Sequence, residues 1–397
     1  MSLIFKKTLI SAILVFLSAG LLAAYDFGLV IGESPEYSAD GFANTISVGP
    51  WFAAPVGENT GFYASGSFDL NYDKDNNWEP IPQLNRTVFL FYPATGLSLE
   101  LGRVTFSDPL GIIASGLFDG LKGSLAVKET RLSLGLFYTG LLYKKAAEIK
   151  LTGDDYLNYI DSDVYFASRR FLGGLNWEIP VLFGSSLSAS LTGLVQFDLN
   201  GKDDYLHSQY LGAKFMIPLI TGLDLNLAAA LDLAERESGD PGIGLAGSAG
   251  VNWLVPSKLQ DLLSFTILWS SGAKENAFVP VTAIPQGRVF DPILSGLMTI
   301  KTNYTLSLNP SISVSADLGY FLRTDLGASF SDSYYTRYVK ADSYALGTEL
   351  YGSVIWAPVS DLQAVLGAGV FLPGLGDALD SDAPIRGKIS LGLAFSL

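Results

Sequence analysis

"RGKISLGLAFSL", residues 386–397, ends the chain on a strict two-residue period. Ile389, Leu391, Leu393, Phe395 and Leu397 take every second place, while Arg386, Lys388, Ser390, Gly392, Ala394 and Ser396 fill the gaps. Successive side chains of an extended strand point to opposite faces, so the stretch reads as a strand with one apolar and one small or polar face. The fold is decided by the medium that the apolar face meets.

The same period recurs along the chain. In "LDLNLAAALDL", residues 223–233, Leu223, Leu225, Leu227, Leu231 and Leu233 share a face, against Asp224, Asn226, Ala228, Ala230 and Asp232. "TIKTNYTLSL" (299–308), "ISVSADLGYFL" (312–322) and "SLSASLTGLVQFDL" (186–199) alternate likewise. The second face of a soluble sandwich sees water and carries many charges. Here it is mostly Ser, Thr, Gly and Ala with an isolated charge. Charged residues make up 16%, against about 25% in soluble domains, and mean hydropathy is +0.32. Beyond the N-terminus no apolar run reaches the length of a helical span. Cysteine is absent, which excludes disulfide scaffolds and thiolate metal sites.

Residues 1–24, "MSLIFKKTLISAILVFLSAGLLAA", read as a cleaved signal peptide: Lys6 and Lys7, an apolar stretch, then Ala23 and Ala24. A retained membrane anchor is the alternative. Residues 25–397 form one domain. The net charge of −14, more negative once Lys6 and Lys7 are removed, argues against nucleic acid as a partner.

Counted back from Leu397, short Pro- or Gly-bearing turns such as "YPATG", "IPLITG" and "APVSD" alternate with longer polar connectors. The latter include "GESPEYSAD", "DKDNNWEPIPQLN", "NGKDDYL" and "RTDLGASFSDSYYTRYVKAD". This is the asymmetry of an outer-membrane barrel, with short periplasmic turns and long outer loops. The expected fold is all-β: a transmembrane antiparallel up-and-down β-barrel of about eighteen strands, with sixteen as the alternative count and both termini periplasmic. Trp51, Trp177, Trp253 and Trp356 each precede a short-turn proline and are expected to form an aromatic girdle at one interface. Their alternative is ordinary packing at strand ends. In a closed barrel the last strand pairs with the first, so "AYDFGLVIG" should meet residues 389–397. The ending also resembles the C-terminal signature of bacterial outer-membrane proteins, although its aromatic is Phe395 and its last residue Leu397. That resemblance implies export to the outer membrane, with outer-membrane lipid and the outer-membrane assembly machinery as partners. Whether copies associate as a homo-oligomer is left open.

Catalytic chemistry finds little support. His207 is the single histidine, and its neighbour Ser208 would point to the other face of a strand, so a rim position is expected. Acidic pairs such as Asp154–Asp155 and Asp203–Asp204 fall in connectors and read as solvated charge. No catalytic, cofactor-binding or metal site is assigned, and no cofactor is expected.

One connector breaks the pattern. The third long one, residues 105–123, is too apolar between Leu110 and Phe118 for an exposed loop. General bacterial porins fold their third outer loop into the barrel, and the ordinal position resembles theirs, although the Pro-Glu-Phe-Gly-Gly motif of that loop is missing. The resemblance implies a pore constriction in which Asp108 and Asp119 oppose Arg103 and Lys122, joined by Arg86 if its strand phase allows. A cap over the barrel, or a docking segment, is the alternative. Lys301, Asp317, Glu349, Arg386 and Lys388 are expected to face a watery lumen, because charge on the lipid face is costly. The function read here is a porin-like channel for passive diffusion of small polar or ionic solutes. A fatty-acid-type transporter of hydrophobic substrates and a non-transporting surface barrel or adhesin are the alternatives.

Overall fold

A computed structural model describes residues 25–74, 77–182, 186–201, 205–237, 240–272, 274–327, 335, 338–340 and 342–397. The signal reading of residues 1–24 and the acidic pair Asp203–Asp204 lie outside the described residues. Alternating sequence becomes wall. The first six strands are β1 (Asp26–Ser38), β2 (Gly41–Gly57), β3 (Thr60–Asp73), β4 (Asn77–Ala94), β5 (Leu97–Ser107) and β6 (Ser115–Val127). Then come β7 (Thr130–Tyr138), β8 (Arg170–Ile179), β9 (Ser188–Asp198), β10 (Leu206–Ile220), β11 (Leu223–Arg236) and β12 (Gly242–Leu254). β13 (Leu262–Ser270), β14 (Leu297–Asn309), β15 (Ile312–Arg323), β16 (Ala345–Val359), β17 (Leu362–Leu372) and β18 (Arg386–Ser396) complete the set.

Each strand pairs antiparallel with its neighbours in sequence, and β18 pairs with β1 from Val30↔Ser396 to Ser38↔Lys388. Leu29 and Leu397 exchange backbone hydrogen bonds of 3.1 and 2.8 Å. Closure removes the sheet edge that an open sheet would expose.

The two faces differ as the period requires. Leu227, Leu233, Leu245, Leu318, Leu350 and Leu366 are exposed on the outside, and pairs such as Leu318↔Leu350 and Val354↔Leu366 join them into rows. Ala230, Asp232, Ala246, Thr299 and Glu349 are buried on the inside. So extensive an apolar exterior suits hydrocarbon and not water. Two-residue turns at 95–96 and 221–222 use Gly96 and Gly222 at positive φ, where a side chain would be strained. The start of β1 and the end of β18 lie at this short-turn end.

Two expected connectors are strands. "GESPEYSAD" mostly continues β1, leaving residues 39–40 as the turn, and "WEPIPQLN" belongs to β4. Both segments run toward the long-loop end of the barrel, where the strict alternation weakens. Pro80 and Pro82 are accommodated because the β4–β5 ladder ends at Thr87↔Arg103, so this half of β4 needs no donors toward β5. The third connector also shrinks, from residues 105–123 to residues 108–114, because its flanks finish β5 and begin β6.

Candidate pore constriction

The site begins where β5 and β6 leave the wall. Gly102 pairs with Gly120 there, and Gly102 holds a φ of 125°. A Cβ added at Gly102 would lie 2.2 Å from the Thr87 carbonyl oxygen, and one at Gly120 would lie 2.0 Å from that of Leu136. Only glycine permits strands to approach this closely. Beyond this point residues 104–107 and 115–118 pair with each other but with neither β4 nor β7.

This detached ribbon turns into the barrel. Asn176 of β8 donates to the Ser107 carbonyl (3.2 Å), and Lys214 of β10 to that of Pro109 (3.0 Å). Phe106, Phe118 and Phe137 cluster with ring centroids 5.0 to 6.2 Å apart. Leu110, Ile112, Ile113 and Ala114 are buried in the same apolar cluster. The apolar stretch therefore finds its burial inside the barrel.

Asp108 serves the turn rather than a pore surface. It is buried, and its carboxylate accepts backbone N–H bonds from Leu110, Gly111, Ile113 and Ala114 at 2.8–2.9 Å. The opposed charges expected across a constriction are paired along the strands instead. Arg103 grips both Asp119 oxygens at 2.8 and 2.9 Å, and Glu100 lies 3.2 Å from Arg86 and 3.0 Å from Lys122.

Two further connectors fill the lumen. Residues 139–169 carry α1 (Lys144–Ala147) and α2 (Gly153–Ile160), and α2 begins with a reciprocal cap between Thr152 and Asp155. Asp155 is not solvated: it and Asp198 hold Arg170, which is fully buried, at 2.5 and 2.9 Å. Residues 274–296 reach across to meet the ribbon. Val281 N–H donates to Ile113 (2.8 Å), Ser115 N–H to the Thr282 hydroxyl (2.9 Å) and Ala283 N–H to Glu148 (2.8 Å). On the far wall Glu349 accepts from the N–H groups of Arg288, Val289 and Phe290 at 2.8, 2.9 and 2.8 Å.

Between these loops and the wall lies a 520 Å³ cavity. Its wall side carries Glu36, Asp40, Arg386 and Lys388, and its loop side Lys150, Tyr156, Tyr159, Arg288 and Asp291. Arg386 pairs with Asp40 (2.6 Å) and Lys388 with Glu36 (2.9 Å). Lys145 and Lys150 sit over the Tyr159 ring, 3.7 and 3.9 Å from its centroid. Arg288 makes no ion pair among the described residues. Burial raises the Asp291 carboxyl above the ordinary aspartate range, despite N–H bonds from Gln286 and Gly287 that favour its charge. Burial and the neighbouring Lys144 and Lys150 lower the Lys145 pKa.

Arg386 and Lys388 thus line this cavity, while Lys301, Asp317 and Glu349 line an adjoining one of 310 Å³ with Arg288. Glu36, Asp40, Lys150, Arg288 and Asp291 were not foreseen from sequence. "FVPVTAIPQGRVF", residues 278–290, offered the same clue as residues 105–123: too much apolar character for a loop in water.

Of the four tryptophans, Trp177, Trp253 and Trp356 are exposed on the outer face near the short-turn end. Trp51 is a correction. Its strand phase puts Phe52 outside, in contact with Phe62 and Tyr25, and turns Trp51 inward to stack on Tyr63. His207 stands at the other end of the barrel, accepting from the Asp198 N–H at 3.0 Å beside Tyr205 and Phe197.

No family profile and no curated relative match the sequence. Solved structures do match the fold. The outer membrane protein OprD from Pseudomonas aeruginosa aligns with a TM-score of 0.59 at 14% identity, covering 94% of this chain and 93% of that one. OpdK of the same organism, solved with vanillate, aligns at 0.65 and 10% identity over 94% and 98%. OccK5 (OpdH), also from that organism, aligns at 0.63 and 12% identity over 94% and 98%. At such identities the likeness is one of fold.

Proposed function

We propose that this protein is a channel of the bacterial outer membrane through which small polar or ionic solutes diffuse. Both termini then face the periplasm, and residues 1–24 direct export before the assembly machinery inserts the barrel. The observation that carries this reading is the charged cavity between the inner loops and the wall, enclosed by an exterior suited to hydrocarbon. Charge of both signs lining a narrow aqueous passage makes passage through it selective, and the Arg288 guanidinium at the cavity has no ion-pair partner among the described residues. The likeness to OprD and OpdK supports the reading through architecture. Single-channel recording in planar bilayers tests it. Discrete conductance steps are expected, with an ion preference that shifts in Arg288→Gln. A correctly folded, inserted barrel that carries no current would leave the non-transporting surface barrel as the better reading.

A further inference from the structure

The inward ribbon leaves a defect behind. From Arg86 back to Asn77, β4 has no β5 partner, and β7 loses β6 beyond Tyr138. Over most of its described length the rest of the wall is joined by backbone ladders. Here, among the described residues, three side-chain bonds tie the two sides together. Tyr165 donates to the Pro82 carbonyl (2.5 Å), and Arg103 donates to the carbonyls of Leu84 (2.5 Å) and Leu141 (3.0 Å). Arg103, held by Asp119, is therefore the pin at the vertex of a seam.

We propose that this seam is a lateral portal, through which amphipathic molecules enter or leave the lumen from the side. Its rim is apolar, with Leu84, Leu141 and Phe166 at 53%, 55% and 51% exposure. The inner face beside it is polar: Gln83 donates to Asp69 at 2.6 Å, and Ser47 does so at the same distance. An amphiphile crossing here keeps its apolar body toward the rim and its headgroup toward the polar lumen. A junction of three side-chain bonds opens more readily than a ladder, because less cooperative structure must break. The lumenal ribbon stays in place when the seam parts, since its own anchors are on β8, β10 and residues 281–282.

The test uses block of the current by decyltrimethylammonium, with tetramethylammonium as the tailless control. The chain has no cysteine, so Leu84→Cys with Leu141→Cys supplies the only thiols. A short bis-maleimide then staples the two sides on the outer surface. Before stapling, the tailed cation should block at far lower concentration than the tailless one. Stapling closes the side route and should slow the onset and relief of that block at least about tenfold, an added barrier of about 1.4 kcal/mol, while leaving unblocked conductance and tetramethylammonium block unchanged. Tyr165→Phe, which removes one of the three bonds, should speed the onset and relief of decyltrimethylammonium block. Equal rates of onset and relief for the tailed cation before and after stapling overturn the portal. Absence of any current overturns the channel reading instead.

Discussion

Glu349→Ala should widen the pore. Glu349 is 5% exposed, and its carboxylate anchors three consecutive N–H groups of the crossing loop, two of them on buried residues. A hydrogen bond to a charged group contributes about 1.5–3 kcal/mol, and a buried N–H left unpaired costs a similar amount. Allowing for water entering the vacated space and for overlap among the three bonds, the closed loop should lose about 3–5 kcal/mol. Every 1.4 kcal/mol is about a tenfold change in population, so the displaced state gains at least about a hundredfold. The loop does not unravel, because Phe290 remains stacked on Phe371 (4.1 Å between centroids) and packs against Tyr335. Glu349→Gln keeps one acceptor oxygen but turns an NH₂ group toward a backbone N–H, and should fall between wild type and Ala. Single-channel recording should show mean conductance and open-channel noise rising in the order wild type, Gln, Ala. If a correctly folded Ala variant conducts with unchanged amplitude and noise, packing alone holds the loop and the carboxylate argument is wrong.

Leu227→Arg places a charge on the lipid side and should cost about 2–4 kcal/mol near the bilayer midplane, read by unfolding in vesicles. Asn226→Arg, one residue away and facing inward, should insert normally and alter conductance. Arg288→Gln should shift reversal potentials toward cation preference, because it removes a guanidinium that has no ion-pair partner among the described residues lining the cavity. Asp291, with its pKa raised by burial, should lose its charge at a higher pH than an exposed aspartate. As pH falls through that value the cavity loses negative charge and cation preference drops, a step that Asp291→Asn should lack. Asp108→Ala leaves four backbone donors without their acceptor and should raise open-channel noise by loosening the ribbon tip.

The wall was legible because lipid imposes a local rule. Leu223, Leu225 and Leu227 must face one way whatever the rest of the chain does, and the pattern shows it directly. The rule weakens toward the long-loop ends of the strands, which is why "GESPEYSAD" and "WEPIPQLN" read as loops. It also fails for Trp51, where an aromatic at a strand end suits either face and only the phase of Phe52 decides. The interior was less legible than the wall. The apolar character of residues 110–118 pointed to a segment needing burial, inside the barrel or as a cap or docking segment, whereas the opposed charges expected across it are engaged elsewhere. Asp108 is taken by four local donors and Arg103 by the seam, while the cavity charges come from β1, β18 and two loops far apart in the chain. No spacing in the sequence records that Glu349 lies beneath residues 288–290.

That same remoteness orders the folding of the molecule in time. Apart from β18 meeting β1, the wall is made of hairpins between consecutive strands, whose loops are inexpensive to close. The inner bonds join residues much farther apart: 167 positions for Ser115 and Thr282, 105 for Lys214 and Pro109, 61 for Arg288 and Glu349. Those partners come within reach only after the intervening strands have docked. The cylinder should thus be complete before its interior is furnished. Refolding into vesicles should pass through a wide, leaky barrel that admits solutes the mature channel rejects, with selectivity arriving later than insertion.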